Sequence, residues 1–380
     1  MPRYSQYSVL HHFIEKIYEA FKRAGHSCRL LSGDDRVKCP TEDPPDFTIG
    51  FNGALLNDQN QFVSDIIKVP HVSLLVDPPY RFINLIKSPY MIITCDDRYC
   101  CTYLESLGFH RSFFMPHAVE PELSASPFKE RVFDVVMLAT FIDYRKCKLV
   151  WPLLFPTEVC KVMEETAEMA FSCPISFIQA FNSFFEKLIK KSPKGKFDDI
   201  SRIDILRQLE LYIKGKDRIL LAESVTDVPL HIFGTTVDLL SWKTYFGKKH
   251  PNIHVHGGVT YASALDVMKQ SKILLNPSLK NRDGAHERLF SGIACGSLVI
   301  TSESLFLSQQ FQEEEDILYY RHQNLTQLNS KLLEYLSNED KRSALVEKGR
   351  KKVMSSHTWD NRAVELMQHI PNLIKQIHKL

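Results

Sequence analysis

Apolar positions fall into two rhythms along this chain: short continuous runs of strand length, and longer stretches at helix spacing. Leu10, Phe13, Ile14, Ile17, Tyr18 and Phe21 keep the helical period and predict an amphipathic helix over Val9 to Arg23. Ala24-Gly25-His26 closes it, and Ser27 to Leu31 reads as a strand. Only Met1 to Ser8 precede that helix, so the apolar strand that usually opens an α/β domain is short or missing. Strand-like runs then recur at Pro45 to Gly53, Val69 to Val76, Tyr90 to Thr94 and Arg111 to Met115, with a helix over Tyr99 to Leu107. Asp96-Asp97 stands at that helix's start and reads as its N-cap. Alternating strands and helices predict a parallel sheet, and polar or glycine-rich tips after the strands mark the edge where such sheets bind ligands.

Pro121 and Pro127 punctuate Glu120 to Lys129, which reads as a linker. Val132 to Leu138 opens a second sheet. Trp151 to Leu221 then carries long helical patterns and reads as an insertion of about residues 150–222; its aromatic run Phe177, Phe181, Phe184 and Phe185 reads as core. Strands resume at Leu230 to Gly234 and Asn252 to His256, and a helix follows over Tyr261 to Gln270. The densest chemistry lies next, in SKILLNPSLKNRDGAHERLFSGIACGSLVIT, Ser271 to Thr301. Ile273 to Leu275 is a buried-strand run, Asn276 to Asp283 a loop broken by Pro277, and Leu289, Phe290, Ile293 and Ala294 restore helix spacing before Cys295-Gly296 stops it. Lys280, Arg282, His286 and Arg288 crowd the entrance of this helix. A helix N-terminus presents unpaired N–H groups and partial positive charge, so with these side chains it suits a phosphate; on charge alone an ordinary βαβ crossover with a solvated basic loop is the favoured reading. The last helix runs from Trp359 to Leu380.

Composition narrows the classes. The chain has 380 residues, 44% apolar and 24% charged, enough for two ordinary domains and not disordered. Lys+Arg 47 against Asp+Glu 45 leaves no strong overall field favouring nucleic acid or an anionic membrane. No apolar run reaches membrane-spanning length, and the first residues lack the apolar core of a signal peptide. Nine Cys with no Cys-x-x-Cys pair fit reduced thiols in a cytoplasm. Fifteen His invite metal readings, but His254 and His256 share only one strand face, and no Asp-x-Asp occurs. Phosphate-binding Gly-x-x-x-x-Gly-Lys loops and Gly-x-Ser-x-Gly elbows are also missing.

Leu275-Asn276, Asp283-Gly284-Ala285-His286-Glu287-Arg288 and Ala294-Cys295-Gly296, in this order and spacing, resemble the C-terminal signature of the CgeB-like glycosyltransferases, a bacterial group of GT-B fold. The Phe51-Asn52-Gly53 turn, the Asp77-Pro78 strand end and the Met115-Pro116-His117-Ala118 exit resemble that group's first domain. The resemblance implies an α/β GT-B fold of two doubly wound Rossmann-like domains facing across a cleft: 1–128 on the acceptor side, 129–358 on the donor side, and 359–380 a helix crossing back. It implies a metal-independent glycosyltransferase (hexosyltransferase-like) that uses a UDP- or GDP-linked sugar as co-substrate, with no further cofactor, and an unidentified glycan, protein or small-molecule acceptor. Arg288, Lys280, Gly284, Ser291, Asn276, Gly234 and Gly257 would bind the donor; Asp77 and His286 would be catalytic; Asn52 would line the acceptor side. Broader retaining GT-B families carry two glutamates about two helical turns apart here. This chain has Asp283 and Ser291 instead, which leaves open a non-catalytic binding relative; a sugar-nucleotide epimerase shares the architecture too.

Overall fold

The computed structural model describes residues 9–31, 44–125, 131–234 and 236–378. The chain divides into two compact units, Met1–Leu123 with Val353–Leu380, and Ser124–Lys352.

The first unit opens with α1 (Val9–Arg23), whose Phe13, Ile14, Ile17, Ala20 and Phe21 are buried. Among the described residues its sheet is four parallel strands in sequential order, β1 (Thr48–Phe51), β2 (His71–Leu75), β3 (Met91–Cys95) and β4 (Ser112–Phe114). β2 and β3 are buried at every position, the mark of central parallel strands covered on both faces. The short α2 (Val63–Ile67) and α3 (Arg98–Ser106) make connections between them. Asp97 caps α3 by accepting from the Tyr99 N–H at 2.9 Å. Ser27 to Leu31 is not a strand. Its two leucines, Leu30 and Leu31, are only half-buried, and the segment adds no rung to the four-stranded sheet. Residues 1–8, over which the sequence leaves an opening strand short or missing, lie outside the described residues. The expected linker is shorter at its start: Glu120 and Leu123 are buried in the first unit, and residues 126–130 lie outside the described residues.

The second unit holds a six-stranded parallel sheet. Its strands are β5 (Phe133–Leu138), β6 (Leu230–Phe233), β7 (Ile253–His256), β8 (Ser271–Asn276), β9 (Leu298–Ser302) and β10 (Leu318–Tyr320), in the spatial order β10-β9-β8-β5-β6-β7. The chain therefore winds outward in both directions from β5 and β8, and the loops after these two neighbours diverge. Such a reversal opens a crevice at the carboxyl edge. In the first unit the described strands run in sequence, so among the described residues the winding reverses only here. Between β5 and β6 stand four helices, α4 (Tyr144–Leu154), α5 (Thr157–Ser172), α6 (Phe177–Lys191) and α7 (Arg202–Glu223). Phe177, Phe181 and Phe185 are buried in this insertion as predicted, whereas Phe184 is only half-buried.

One face of the sheet packs Val135, Met137, Ile273, Leu275, Leu298 and Ile300 against apolar residues of α7, of α8 (Thr236–Phe246), and of the helices that follow β10. Between β7 and β8 lies α9 (Tyr261–Lys269); between β8 and β9 lies α10 (Glu287–Ala294). A Cβ on Gly292 of α10 would come within 2.5 Å of Leu274 and 2.9 Å of Val299, so only glycine lets this helix seat on β8 and β9. After β9 come α11 (Leu305–Gln310), β10, α12 (Leu328–Ser337) and α13 (Glu339–Ser356). The chain then returns to the first unit with α14 (Trp359–Ile377), started by a capping box of Thr358 and Asn361. Trp359 meets Phe13 at 5.3 Å between ring centroids and Phe51 at 6.1 Å edge-on, and Arg362 donates to the Pro116 carbonyl at 2.8 Å.

Candidate functional site

Asn276 ends β8 at the winding reversal. Its Nδ2 donates to Thr301 Oγ1 at 3.0 Å, and that hydroxyl returns a bond to the Asn276 carbonyl at 3.1 Å, which ties the tips of β8 and β9. Asn276 Oδ1 is buried and has no partner among the described residues. The loop that follows is held from several sides. Asp217, buried on α7, accepts from the Leu279 N–H at 2.9 Å, the Tyr320 hydroxyl at 2.7 Å and His322 Nε2 at 2.8 Å. Burial and the Asp217 charge push the Tyr320 hydroxyl's pKa well above its ordinary value, so it stays a donor. Arg282 turns inward: it is buried and its guanidinium donates to the Ala170 carbonyl of α5. One of the four expected cations of the helix entrance therefore ties the loop to the insertion. Ser304 Oγ donates to the Gly284 carbonyl at 2.8 Å, and the Leu305 N–H donates to the Arg282 carbonyl at 2.8 Å.

His286 is the N-cap of α10: its Nδ1 faces the Arg288 N–H at 3.4 Å and the Glu287 carboxylate. Burial, with Arg288 beside it, holds its pKa down to about 3 against the pull of Glu287. The ring is neutral at pH 7, so the expected charge at this helix start is supplied by Lys280 and Arg288, both half-buried, and not by His286. Ser291 lies one turn further in, fully buried, with its hydroxyl 3.2 Å from that of Tyr261. The resemblance puts it among the donor contacts; the structure gives it a partner inside the unit. Gly234 is buried at the β6 tip, its N–H 3.5 Å from the His256 carbonyl. Gly257 is exposed, and a Cβ there would meet nothing within 4 Å, so no close approach within the chain demands glycine.

The sequence predicts a helix over Ile203 to Lys214 but gives it no part in the site; α7 runs on to Glu223, and the residues that reach the site lie in that last stretch. Gly215 lies so close to the loop after β5 that a Cβ would fall 2.5 Å from the Ile142 carbonyl. Arg218 Nη1 donates to the Thr140 carbonyl at 2.9 Å. With Asp217 on the β8 loop, three neighbouring residues of one helix hold both loops of the reversal. The available signal was an acid at helix spacing between apolar Ile213 and Leu221, both fully buried.

In the first unit, Asn52 adopts a left-handed φ of 49° and bridges two strand tips. Its Oδ1 accepts from the Val76 N–H at 2.9 Å and its Nδ2 donates to Asp77 Oδ2 at 2.9 Å. Asp77, about a third exposed, also lies 3.7 Å from Arg81. Beneath this turn His71 is buried, its Nε2 donating to the Gly53 carbonyl at 3.1 Å while Nδ1 accepts from Thr48 at 2.8 Å; burial lowers its pKa to about 4. Next along the same carboxyl edge, His117 and Asp96 stand 3.5 Å apart, both buried. In the second sheet His231 Nδ1 lies 2.9 Å from His256 Nε2, and the His254 ring is 4.9 Å from that of His231. Among the described residues no group of three or more His, Cys, Asp or Glu is placed to hold a metal ion.

Residues 216–368 match a family model described as glycosyl transferase-like. The matched stretch runs from the end of α7 into α14 and contains Asp217, the β8 loop and all of α10. Among solved structures, a glycosyltransferase from Rickettsia africae is 11% identical over 100% of this chain and 97% of its own, with a TM-score of 0.53. HepE of Anabaena, solved with UDP and glucose, is 8% identical over 80% of this chain and 73% of its own at a TM-score of 0.48. TarM is 10% identical over 80% of this chain at a TM-score of 0.46; the chain spans only 50% of TarM's length. No curated protein matches the chain. The fold, an α/β chain with two parallel sheets, is GT-B and is shared end to end with the Rickettsia glycosyltransferase.

Proposed function

We propose that this protein is a glycosyltransferase of the CgeB-like group, a bacterial cytoplasmic enzyme that binds a UDP- or GDP-linked sugar at the carboxyl edge of its second sheet and passes a hexosyl group to an acceptor. The observation that carries this reading is the start of α10. There, in the stretch matched as glycosyl transferase-like, Lys280 and Arg288 flank a helix N-terminus at the sheet's winding reversal. Helix N–H groups and fixed cations stabilise the negative charge that grows on a departing diphosphate, and they do so without reorganising. His286, neutral, serves as a hydrogen-bonding group there and not as a countercharge. Gly284 lies in the same loop, its carbonyl held by Ser304, and Gly234 and Gly257 follow the neighbouring strands β6 and β7. In the first unit Asp77, oriented by Asn52, acts on the acceptor, either taking its proton or positioning it.

The chemistry assigned to Lys280, Arg288 and α10 predicts donor turnover that survives chelation of divalent ions. Release of nucleoside diphosphate, measured with and without chelator across a panel of UDP- and GDP-sugars, tests both parts. Activity lost in chelator and restored by magnesium or manganese contradicts the metal-free reading; no binding of any nucleotide-sugar contradicts the donor assignment. A second reading has its own observation. Ser291 stands where related families carry a glutamate and is fully buried against Tyr261, which favours a nucleotide-sugar binding module that does not turn over. Tight binding with no product in the same panel identifies it.

A further inference from the structure

Among the described residues β10 is an edge strand of the second sheet, and its residues alternate between two sides. Leu318 and Tyr320 pack into the core with Leu328 and Leu332, so Tyr319 points the other way. There it forms part of the wall of a cavity of about 410 Å³, bounded by the end of α11, the segment after it, and Lys352 of α13. Small-molecule sites measure about 300–1,000 Å³, so the cavity is of that size. Tyr319 is 3% exposed, and its hydroxyl has no hydrogen-bond partner among the described residues. A buried hydroxyl left unpaired costs free energy that a ligand can recover. Glu303 and Glu313, two of the acids that act on this hydroxyl, are wall residues as well, which puts the hydroxyl at the cavity end of its ring. Burial, with these acids beside it, raises its pKa above the ordinary value, so it stays a donor at neutral pH.

The charges around the cavity are compensated. Arg321 donates to Glu303 at 2.9 Å and to both carboxylate oxygens of Glu313 at 2.9 and 3.2 Å, and Lys331 reaches Glu313 at 3.3 Å. Asp316, buried, is paired with Lys352, and Glu315 stands 3.9 Å from Lys348. Glu314, exposed at a turn with a φ of 64°, is not a wall residue. The wall cation Lys352 is thus taken by Asp316, which leaves nothing there to hold an anion, and among the described residues no group of acids is placed to hold a metal ion. The rest of the wall is neutral and hydrogen-bonding, from Ser308, Gln309, Gln310 and Gln312, with the Phe311 ring as apolar surface. A carboxylate offers about four acceptor sites, and Arg321 takes one bond from Glu303, which fixes that group with acceptor capacity to spare. Amides, hydroxyls, an Arg-fixed carboxylate and an aromatic surface together suit a neutral ring with hydroxyls at its edge and C–H groups on its face.

We infer that this cavity is a second saccharide site, separate from the start of α10, which takes one neutral sugar ring against Phe311 and bonds its hydroxyls through Tyr319 and Glu303. The inference stands on the cavity wall and does not depend on the donor assignment. Its test uses the full chain with glucose, galactose, mannose and N-acetylglucosamine, followed by saturation-transfer NMR and calorimetry, with and without saturating UDP. At least one of these sugars should bind at millimolar concentration, and UDP should leave that binding in place. Tyr319→Phe deletes one hydroxyl and should weaken sugar binding about three- to tenfold. The same variant should melt no lower than the parent without sugar, because the hydroxyl it removes is unpaired. Ser308→Trp, at an exposed position on the cavity wall, should abolish the binding without entering the core. Four results overturn the inference: none of the sugars binds, both variants bind as the parent does, UDP displaces the sugar, or Tyr319→Phe melts lower without sugar. Displacement by UDP assigns the sugar to the donor site, and the lowered melting temperature makes the hydroxyl a structural group. Failure of every nucleotide-sugar to bind at α10 leaves this test unaffected, so the two readings fail separately.

Discussion

Arg288 and Asp77 are the two residues whose roles decide most. Arg288 presents a planar fork at the start of α10, and charge-assisted bonds from such a fork to a diphosphate are only partly replaced by lysine. Arg288→Ala is expected to weaken binding of the nucleoside diphosphate by ~1.5–3 kcal/mol with the fold intact. Calorimetry on the variant checks this; unchanged affinity removes Arg288 from the site. Asp77 was legible as a strand-end carboxylate because Pro78-Pro79 cannot continue a central strand. What the sequence could not show is that Asn52, 25 positions away, aims it. Asp77→Asn preserves an acceptor for that amide and removes basicity. If Asp77 takes the acceptor's proton, turnover falls by ~100-fold or more at unchanged donor affinity. Near-normal turnover with a lower melting temperature assigns Asp77 to the turn.

Among elements, α7 matters most to the proposed site. Through Gly215, Asp217 and Arg218 it fixes the loops on both sides of the winding reversal. Asp217→Ala removes the acceptor for a buried N–H, a buried tyrosine hydroxyl and His322. Loss of about 3 kcal/mol of stability is expected, read as a lower urea midpoint at constant slope. Weaker nucleotide binding should accompany it; full affinity in the destabilised variant would make α7 a support of the unit and not of the site. The strands β2, β3, β5, β8 and β9 were legible because central parallel strands are apolar almost without interruption. The same rule misread Ser27 to Leu31, where two leucines beside a charged Arg29 resemble a strand although among the described residues they join no sheet. The site divided along similar lines. The start of α10 is local in sequence and could be read. The grip of Asp217 on Leu279, Tyr320 and His322 spans 62 to 105 residues, and no periodicity reports such a pairing.

At the scale of the whole molecule, both units hold neutral imidazoles. His71 is held to about 4 by burial, and His286 and His357 to about 3 by burial with Arg288 and Arg362 beside them. His357 Nδ1 accepts from Arg362 at 2.8 Å, so a proton has no place there. A group whose folded pKa lies below its ordinary value of about 6.5 binds more protons when unfolded in between. Stability should therefore be constant above about pH 6.5 with respect to these groups, and fall as pH drops toward about 4. Melting temperature against pH checks the slope, and His71→Gln should make it shallower. Trp359 and Arg362 have a different consequence. They complete the packing of α1 and the exit from β4, yet the ribosome delivers them only after all of Ser124–Lys352 has emerged. During synthesis the first unit must wait with the apolar faces of Phe13 and Phe51 uncovered while the second unit folds. Newly made chains are thus most exposed to chaperones and to mispairing at α1 and β1, and halting translation before Trp359 would leave those elements unable to finish folding.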